Sequence, residues 1–180
     1  MQRNLNLKME NQTNKKNIIL EYGLYAGSIS VLLALVFYAM EKAANPGIVL
    51  SLISIILPLT LLVLGIRKFK LLNNDYLNWG QALKIGVGIA MLWGIIALGF
   101  QYILENVIAP ELIEQKLEVA RLSMEKWGIS EDMIEESIES QKKQSPLLGI
   151  SMGLLFFAFM GFVVSAIAGA IMKKTEEETY

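Results

Sequence analysis

The stretch LNWGQALKIGVGIAMLWGIIALGFQYILENVIAP, residues 77–110, decides the fold of this chain. It opens with Trp79 and Lys84, continues through mostly apolar residues and closes on Glu105 and Pro110. About 20 apolar residues suffice to cross a bilayer. Proline ends such a helix because it lacks the N–H that the next turn needs. The stretch therefore predicts a membrane-spanning helix, which we number as the third of four.

The composition excludes several classes of protein. The chain has 180 residues, of which 54% are hydrophobic and 18% are charged, and the apolar residues lie in long runs, as is typical of membrane proteins. The net charge is -1 and the basic residues lie between apolar blocks, so we expect no nucleic-acid partner. Because the chain has no Cys and no His, thiol catalysis, histidine bases and the usual zinc sites are excluded. We predict no catalytic residue, no metal site and no cofactor.

Three further apolar runs predict the other spans. Residues 18–40 are too long for the core of a signal peptide and lack a good cleavage site after them, so an uncleaved first helix is favoured. Residues 48–66 form the second span, with Pro58 as a kink that is favoured over a gating hinge. Ser54 has the right offset to help satisfy the carbonyl that Pro58 frees. Residues 147–172 form the fourth span.

The segment between the third and fourth spans, residues 110–146, has the pattern of an amphipathic helical hairpin. Gly128 can end its first helix, and Ser130 can cap its second. The apolar stripes either pack on each other or lie on the bilayer surface, and the acidic residues recur at the spacing of a solvated helix face, not of a calcium loop. The apolar stripe of the first helix consists of Ile113, Leu117, Ala120, Met124 and Trp127.

The lysines and arginines predict which way the spans thread, because cytoplasmic segments carry an excess of them. This rule places residues 1–17 and 173–180 in the cytoplasm as terminal tails, and residues 110–146 outside it. The predicted fold is all-α: an integral membrane four-helix bundle with an extracytoplasmic amphipathic helical hairpin between helices three and four, residues 18–109 supplying the first three helices. The basic residues on the cytoplasmic side are Arg3, Lys8, Lys15, Lys16, Arg67, Lys68, Lys70, Lys173 and Lys174. Those on the other side are Lys42, Lys116, Arg121, Lys126, Lys142 and Lys143.

Two charged residues near the cytoplasmic ends of helices one and three, Glu21 and Lys84, lie at matching depth by our count. An unpaired charge at the edge of the hydrocarbon costs about 1–3 kcal/mol, so we predict an ion pair that ties the two helices. Two separate snorkelling side chains are the alternative. A proton relay is disfavoured because no ionisable residue falls near the middle of the bilayer.

Small residues recur at four-residue spacing on helices one, three and four. Such series let helix backbones approach closely in a bilayer. They could seal the bundle itself or join two copies, and we favour packing inside the bundle because three helices carry them. The residues are Gly23, Gly27, Gly86, Ala90, Gly94, Gly149, Gly153, Gly161, Ser165 and Gly169.

Several short motifs give the chain a resemblance to a known family. They are Tyr22-Gly23, Gly65-Ile66-Arg67-Lys68-Phe69, Trp79-Gly80-Gln81-Ala82-Leu83-Lys84-Ile85-Gly86, Pro146 and Lys173-Lys174. Together they resemble the bacterial membrane-protein family known as domain of unknown function 4199. The family opens its third helix with an aromatic-Gly-Lys-Ala-aromatic-Lys signature, in which Gln81 here replaces the first Lys and Leu83 the second aromatic residue. The resemblance implies four helices and a bacterial inner (plasma) membrane location, and it brings no activity with it.

These observations favour a non-enzymatic membrane component, embedded in the lipid bilayer, that is structural or binds a protein partner through residues 110–146. A small oligomeric transporter or channel is the alternative, in which Pro58 and the glycine series allow helix movement. An enzyme ranks third, because only the region of Glu21 and Lys84 offers polar groups within the membrane. The oligomeric state stays open.

Overall fold

The computed structural model describes the backbone of residues 2–174 and the side chains of residues 15–174. Within this part of the chain there are six α-helices and no strand beyond an isolated bridge, which confirms the predicted all-α class. Of the predicted terminal tails, residues 2–17 continue the first helix, whereas residues 175–180 lie outside the described part. The helices are α1 Gln2–Ala39, α2 Gly47–Leu72, α3 Trp79–Ile103, α4 Glu111–Lys126, α5 Glu131–Lys143 and α6 Pro146–Met172.

Four segments are long and apolar enough to cross a membrane, as predicted, and the chain is a membrane protein. They are Lys15–Ala39, Gly47–Leu72, Trp79–Ile108 and Pro146–Met172. One end of the bundle, where α1 and α3 enter and α2 and α6 leave, carries most of the cations, and we call it the basic end. The described cations there are Lys15, Lys16, Arg67, Lys68, Lys70, Lys84, Lys173 and Lys174.

Helix α3 is the central helix and packs on α1, α2 and α6. On one side it runs parallel to α1: a Cβ added at Gly27 would lie 2.6 Å from the side chain of Ile96, and one added at Gly88 would lie 2.7 Å from that of Ile19. On the other side it runs antiparallel to α6, with Ala90 against Gly161. The fully buried residues Ile85 and Ile89 complete the core.

Helix α2 packs into the bundle only over its second half. Its buried residues begin at Pro58 and continue to Phe69, near the basic end, whereas the described residues before Pro58 are exposed or half-buried. The helix continues through Pro58 without a break in its assignment. The hydroxyl of Ser54 donates to the carbonyl of Ser51 at 2.8 Å, so the prediction that it compensates for Pro58 is wrong. Pro58 instead marks where close packing begins.

The start of α3 is fixed by a capping box. The side chain of Asn78 accepts from the backbone N–H of Gln81 at 2.8 Å, and the side chain of Gln81 accepts from the backbone N–H of Asn78 at 2.9 Å. The two side chains thereby satisfy N–H groups at the start of the helix reciprocally, and the N–H of Gln81 also donates to the carbonyl of Asn78 at 3.1 Å. Just before it, Leu77 exchanges two backbone hydrogen bonds of 2.9 Å with Lys174, which fastens the end of α6 to the start of α3.

At its far end α3 widens into a π-helical turn, Leu104–Ile108, that the sequence analysis did not predict. Beyond it, α4 and α5 are joined by a turn in which Gly128 has a φ of +75°. Glycine adopts this conformation without strain, and the prediction that Gly128 ends α4 is confirmed. Ser130 occupies the N-cap position of α5, but its side chain makes no capping hydrogen bond.

Candidate functional site

A half-open cavity of about 350 Å³, which we call the apolar cavity, lies between the four spans in the half of the bundle away from the basic end. It exists because the first half of α2 stands off from the other helices. The wall is largely aromatic and aliphatic, with three polar side chains. The wall residues include Ser30, Phe37, Ser54, Trp93, Ala97, Phe100, Gln101, Phe157 and Met160.

Trp93 is held in this wall by an aromatic contact and a hydrogen bond. Its ring stands edge-on to that of Phe157, with centroids 4.7 Å apart and planes at 83°. Its indole N–H donates to the hydroxyl of Ser30 at 2.7 Å. Because a buried indole N–H without a partner is costly, this bond fixes the ring and joins α1 to α3 across the cavity.

A charged cluster lies next to the apolar cavity at the π-helical turn, and Gln101 is its member in the cavity wall. One carboxylate oxygen of Glu105, Oε1, accepts from the amide of Gln101 and from the ammonium of Lys116, each at 2.5 Å. The side chains of Glu105 and Lys116 are 21% and 34% exposed. This partial burial makes their attraction stronger than that of a fully solvated pair. The cluster therefore ties the outer helix α4 to α3.

A second cavity of about 520 Å³, which we call the polar cavity, lies beyond the cluster, between the end of α3, α4, α5 and the start of α6. Gln101 belongs to the walls of both cavities. The apolar cavity is thus followed along the bundle axis by a cavity with charged walls. The polar side chains of the second wall include Gln101, Glu105, Lys116, Gln141, Lys142 and Gln144.

This arrangement is suited to binding. Within residues 15–174 no group of three or more acidic, histidine or cysteine side chains is placed to hold a metal ion. The carboxylate of Glu105 is already engaged by two donors. What the two walls offer is an apolar chamber and, next to it, hydrogen-bond donors and cations.

The structure does not bring Glu21 and Lys84 together. The described part of the chain forms four ion pairs within 4.0 Å, and this pair is not among them; both side chains are exposed. The parallel register that sets Ile19 beside Gly88 places Lys84 near Lys15. Glu21 then lies about six residues, or roughly 9 Å, further along the bundle. Our count of matching depth was wrong, and the predicted tie does not form.

The small residues predicted to pack do so inside the bundle, with one exception. On α1, a Cβ added at Gly23 would lie 2.8 Å from the side chain of Leu92. On α6, one added at Gly169 would lie 2.8 Å from Ala82, and one added at Gly153 the same distance from Leu98. Gly149 differs, because an added Cβ would meet nothing within 4 Å. The remaining contacts are Gly27 with Ile96, Gly86 with Ser165, Ala90 with Gly161, and Gly94 with Phe157.

The sequence analysis missed the Gln101–Glu105–Lys116 cluster. Gln101 and Glu105 are four residues apart, and side chains at that spacing meet on a helix, so half of the cluster was visible in the sequence. Lys116 was not, because its approach depends on the chain folding back after the π-helical turn. The Asn78–Gln81 capping box also has a sequence signature that we did not use.

Comparison with known proteins gives one match. The model of a family described as "Protein of unknown function (DUF4199)" matches residues 21–174. Neither the curated proteins nor the solved structures provide a match. The matched segment covers most of the first span, the other three spans and the outer helices.

Proposed function

The chain belongs to the family of proteins of unknown function DUF4199, and from that premise we propose that it is a non-enzymatic, multi-pass protein of the bacterial inner membrane. In this proposal both termini are cytoplasmic, and α4 and α5 bind a partner protein outside the cytoplasm. One observation carries it: large apolar side chains are exposed on these otherwise charged helices. Trp127 is 81% exposed, and Met133 is 56% exposed.

The charge distribution supports the orientation. Eight described cations lie at the basic end, at or near the span ends. At the opposite end, Lys116, Arg121 and Lys143 each lie within 4.0 Å of a glutamate. Cytoplasmic segments carry an excess of Lys and Arg near the span ends, so the basic end is assigned to the cytoplasm.

Cysteine labelling tests this orientation, because the chain has no cysteine of its own. A membrane-impermeant maleimide should label Glu136→Cys in intact spheroplasts and Asn74→Cys only after lysis. Both positions are exposed in polar segments, so access by the reagent depends on the side of the membrane. The reverse labelling pattern would invert the orientation and remove the outer surface from the proposal.

The outer surface is suited to a protein partner for two reasons. It carries nine acidic and five basic residues over α4 and α5, a balance that disfavours anionic lipid head groups. An exposed tryptophan is also a common centre of protein interfaces, because its large ring buries much apolar area. The partner's complementary surface would be an apolar pocket bordered by basic side chains.

Photo-crosslinking tests the partner. With a benzophenone amino acid at position 127 of the full-length chain in its native membrane, we expect a discrete band of higher mass that contains a second protein. The matched control places the same amino acid at Glu114, an exposed polar position of α4, the helix that ends just before Trp127. Met133→Asp should weaken the band at position 127. No protein adduct, or the same adducts from both positions, would contradict the proposal.

A small oligomeric transporter or channel is the second candidate, and the apolar cavity is the observation that favours it. Against it, the basic half of the bundle is filled by fully buried apolar side chains, including Leu62, Phe69 and Leu77. A water-filled path would have to cross this layer. Ion flux into liposomes containing the purified chain, above that into empty liposomes, would favour the transporter.

A further inference from the structure

We propose that the two cavities together form a binding site for one amphiphile, with its apolar chain in the apolar cavity and an anionic head group, phosphate or carboxylate, in the polar cavity. The motivating feature is the shared wall at Gln101, which makes the two chambers neighbours along the bundle axis. This site is independent of the partner surface around Trp127.

The apolar cavity has the size and chemistry for a chain. Its volume of about 350 Å³ lies within the range of about 300–1,000 Å³ that is usual for small-molecule sites. The walls come from all four spans, with Phe37, Phe100 and Met160 among the apolar residues. Its polar side chains are partly engaged with protein groups: Ser30 accepts from Trp93, and Ser54 donates to Ser51. A hydrocarbon chain therefore suits this space better than a polar molecule.

The polar cavity has the charge for an anionic head group. Within its wall, Glu105 and Lys116 neutralise each other at 2.5 Å. Lys142 also belongs to this wall and forms none of the four ion pairs found in the described part of the chain. The wall thus carries one cation in excess. A phosphate or carboxylate is the group that such a cation, flanked by amide donors from Gln141 and Gln144, would hold.

The two cavities follow the order of a lipid leaflet: the apolar cavity lies at the depth of the lipid chains, and the polar cavity lies at the depth of the head groups. The apolar cavity lies at the level of the span interiors, whereas the polar cavity lies where Trp79–Ile108 ends and Pro146–Met172 begins. A molecule that enters from the surrounding lipid would keep its chain and head group at their own depths. The ligand class is therefore a membrane amphiphile, either a phospholipid or a free fatty acid.

Fluorescence quenching of Trp93 tests the site. Trp79→Phe and Trp127→Phe leave Trp93, in the cavity wall, as the only tryptophan of the three in the chain. Bromine quenches tryptophan at contact distance, so we would titrate this protein in detergent with dibromostearate, with a brominated-chain phosphatidylglycerol and with a dibromoalkane that has no head group. We expect saturable quenching by one or both of the anionic probes, and which one binds identifies the source of the head group.

Matched variants separate a site from general contact with lipid. Ala97→Phe, and independently Ala34→Leu, fill the cavity wall and should abolish saturation, with circular dichroism checking that each variant folds. Lys142→Gln should weaken binding of the anionic probes about tenfold, the factor expected for loss of a charge-assisted hydrogen bond. Lys126→Gln, an exposed α4 position outside both walls, should change nothing.

Three outcomes would overturn the proposal. Quenching that rises linearly without saturation would mean that the probes reach Trp93 by non-specific contact and not by binding at a site. Equal quenching by the headless dibromoalkane, or equal affinity in Lys142→Gln and in the parent protein, would mean that the polar cavity holds no head group.

Discussion

Replacing Gly161 with valine is expected to lower the free energy of unfolding by about 3 kcal/mol, the upper end of the usual cost of overpacking. A Cβ at this position would lie 2.5 Å from the Cβ of Ala90 and 3.3 Å from the backbone of Gly86 and Val87. Backbone atoms of a central helix cannot move aside as a flexible side chain can. Valine adds two further methyl groups, so α3 and α6 must separate.

The separation matters more here than in a water-soluble bundle. In a bilayer, lipid tails are as apolar as the residues between helices, so association depends on close packing of the backbones. Helix α6 contacts α3 along most of its length, with Gly169 close to Ala82 at one end and Gly153 close to Leu98 at the other. Moving the two helices apart at Gly161 therefore weakens the contacts on both sides of it.

Gly149→Val is the matched control. Gly149 lies on the same helix and was also predicted to pack, yet a Cβ there would meet nothing within 4 Å. We expect its unfolding free energy to stay within about 0.5 kcal/mol of the parent protein, as for most surface substitutions. Unfolding in detergent, followed by circular dichroism during titration with sodium dodecyl sulfate, measures both variants. Equal destabilisation by the two valines would contradict the packing argument.

The contrast between Gly149 and Gly153 shows what spacing alone can predict. The sequence places both in one series of small residues, and it correctly predicts that most of the series packs inside the bundle. It does not say where two helices diverge. Helix α6 begins beside the polar cavity, and at Gly149 it has not yet reached α3. That divergence depends on α4 and α5, whose placement no local pattern specifies.

The Glu21–Lys84 prediction failed because depth was counted from the ends of the apolar runs. The actual register between α1 and α3 is set by the fit of side chains against glycines, such as Ile19 against Gly88 and Ile96 against Gly27. Glu21 also lies two residues from the buried Gly23, which turns it about 200° away from that face. The face of the helix on which Glu21 lies can be worked out from the sequence, and it already argues against the pair.

The second large effect is expected at the Glu105–Lys116 pair, for which we predict a coupling energy of about 1–2 kcal/mol in a double-mutant cycle. The value lies between the 0–1 kcal/mol of exposed pairs and the 3–5 kcal/mol lost when a fully buried pair is broken. The side chains are 21% and 34% exposed, and the same carboxylate oxygen also accepts from Gln101. Removing Lys116 thus leaves a half-buried carboxylate with one donor fewer.

The cycle uses Glu105→Gln and Lys116→Met, singly and together. Each variant keeps a side chain of similar length, so packing changes least while charge is removed. The matched control is the pair Glu139–Lys143, whose nitrogen and oxygen lie 2.7 Å apart but whose side chains are 67% and 74% exposed. We expect a coupling of at most about 0.5 kcal/mol there, because solvent screens it and the pair joins residues of one helix.

The two cycles distinguish tertiary from local stabilisation. The Glu105 pair joins the π-helical turn to α4, so its loss should release the outer helices from the bundle and raise proteolysis at the turn before α4. The Glu139 pair lies within α5 and joins no other element. Coupling energies that are equal in the two cycles, or outer helices that stay resistant to protease in Lys116→Met, would show that α4 is held by its apolar contacts at Leu112 and not by this charge pair.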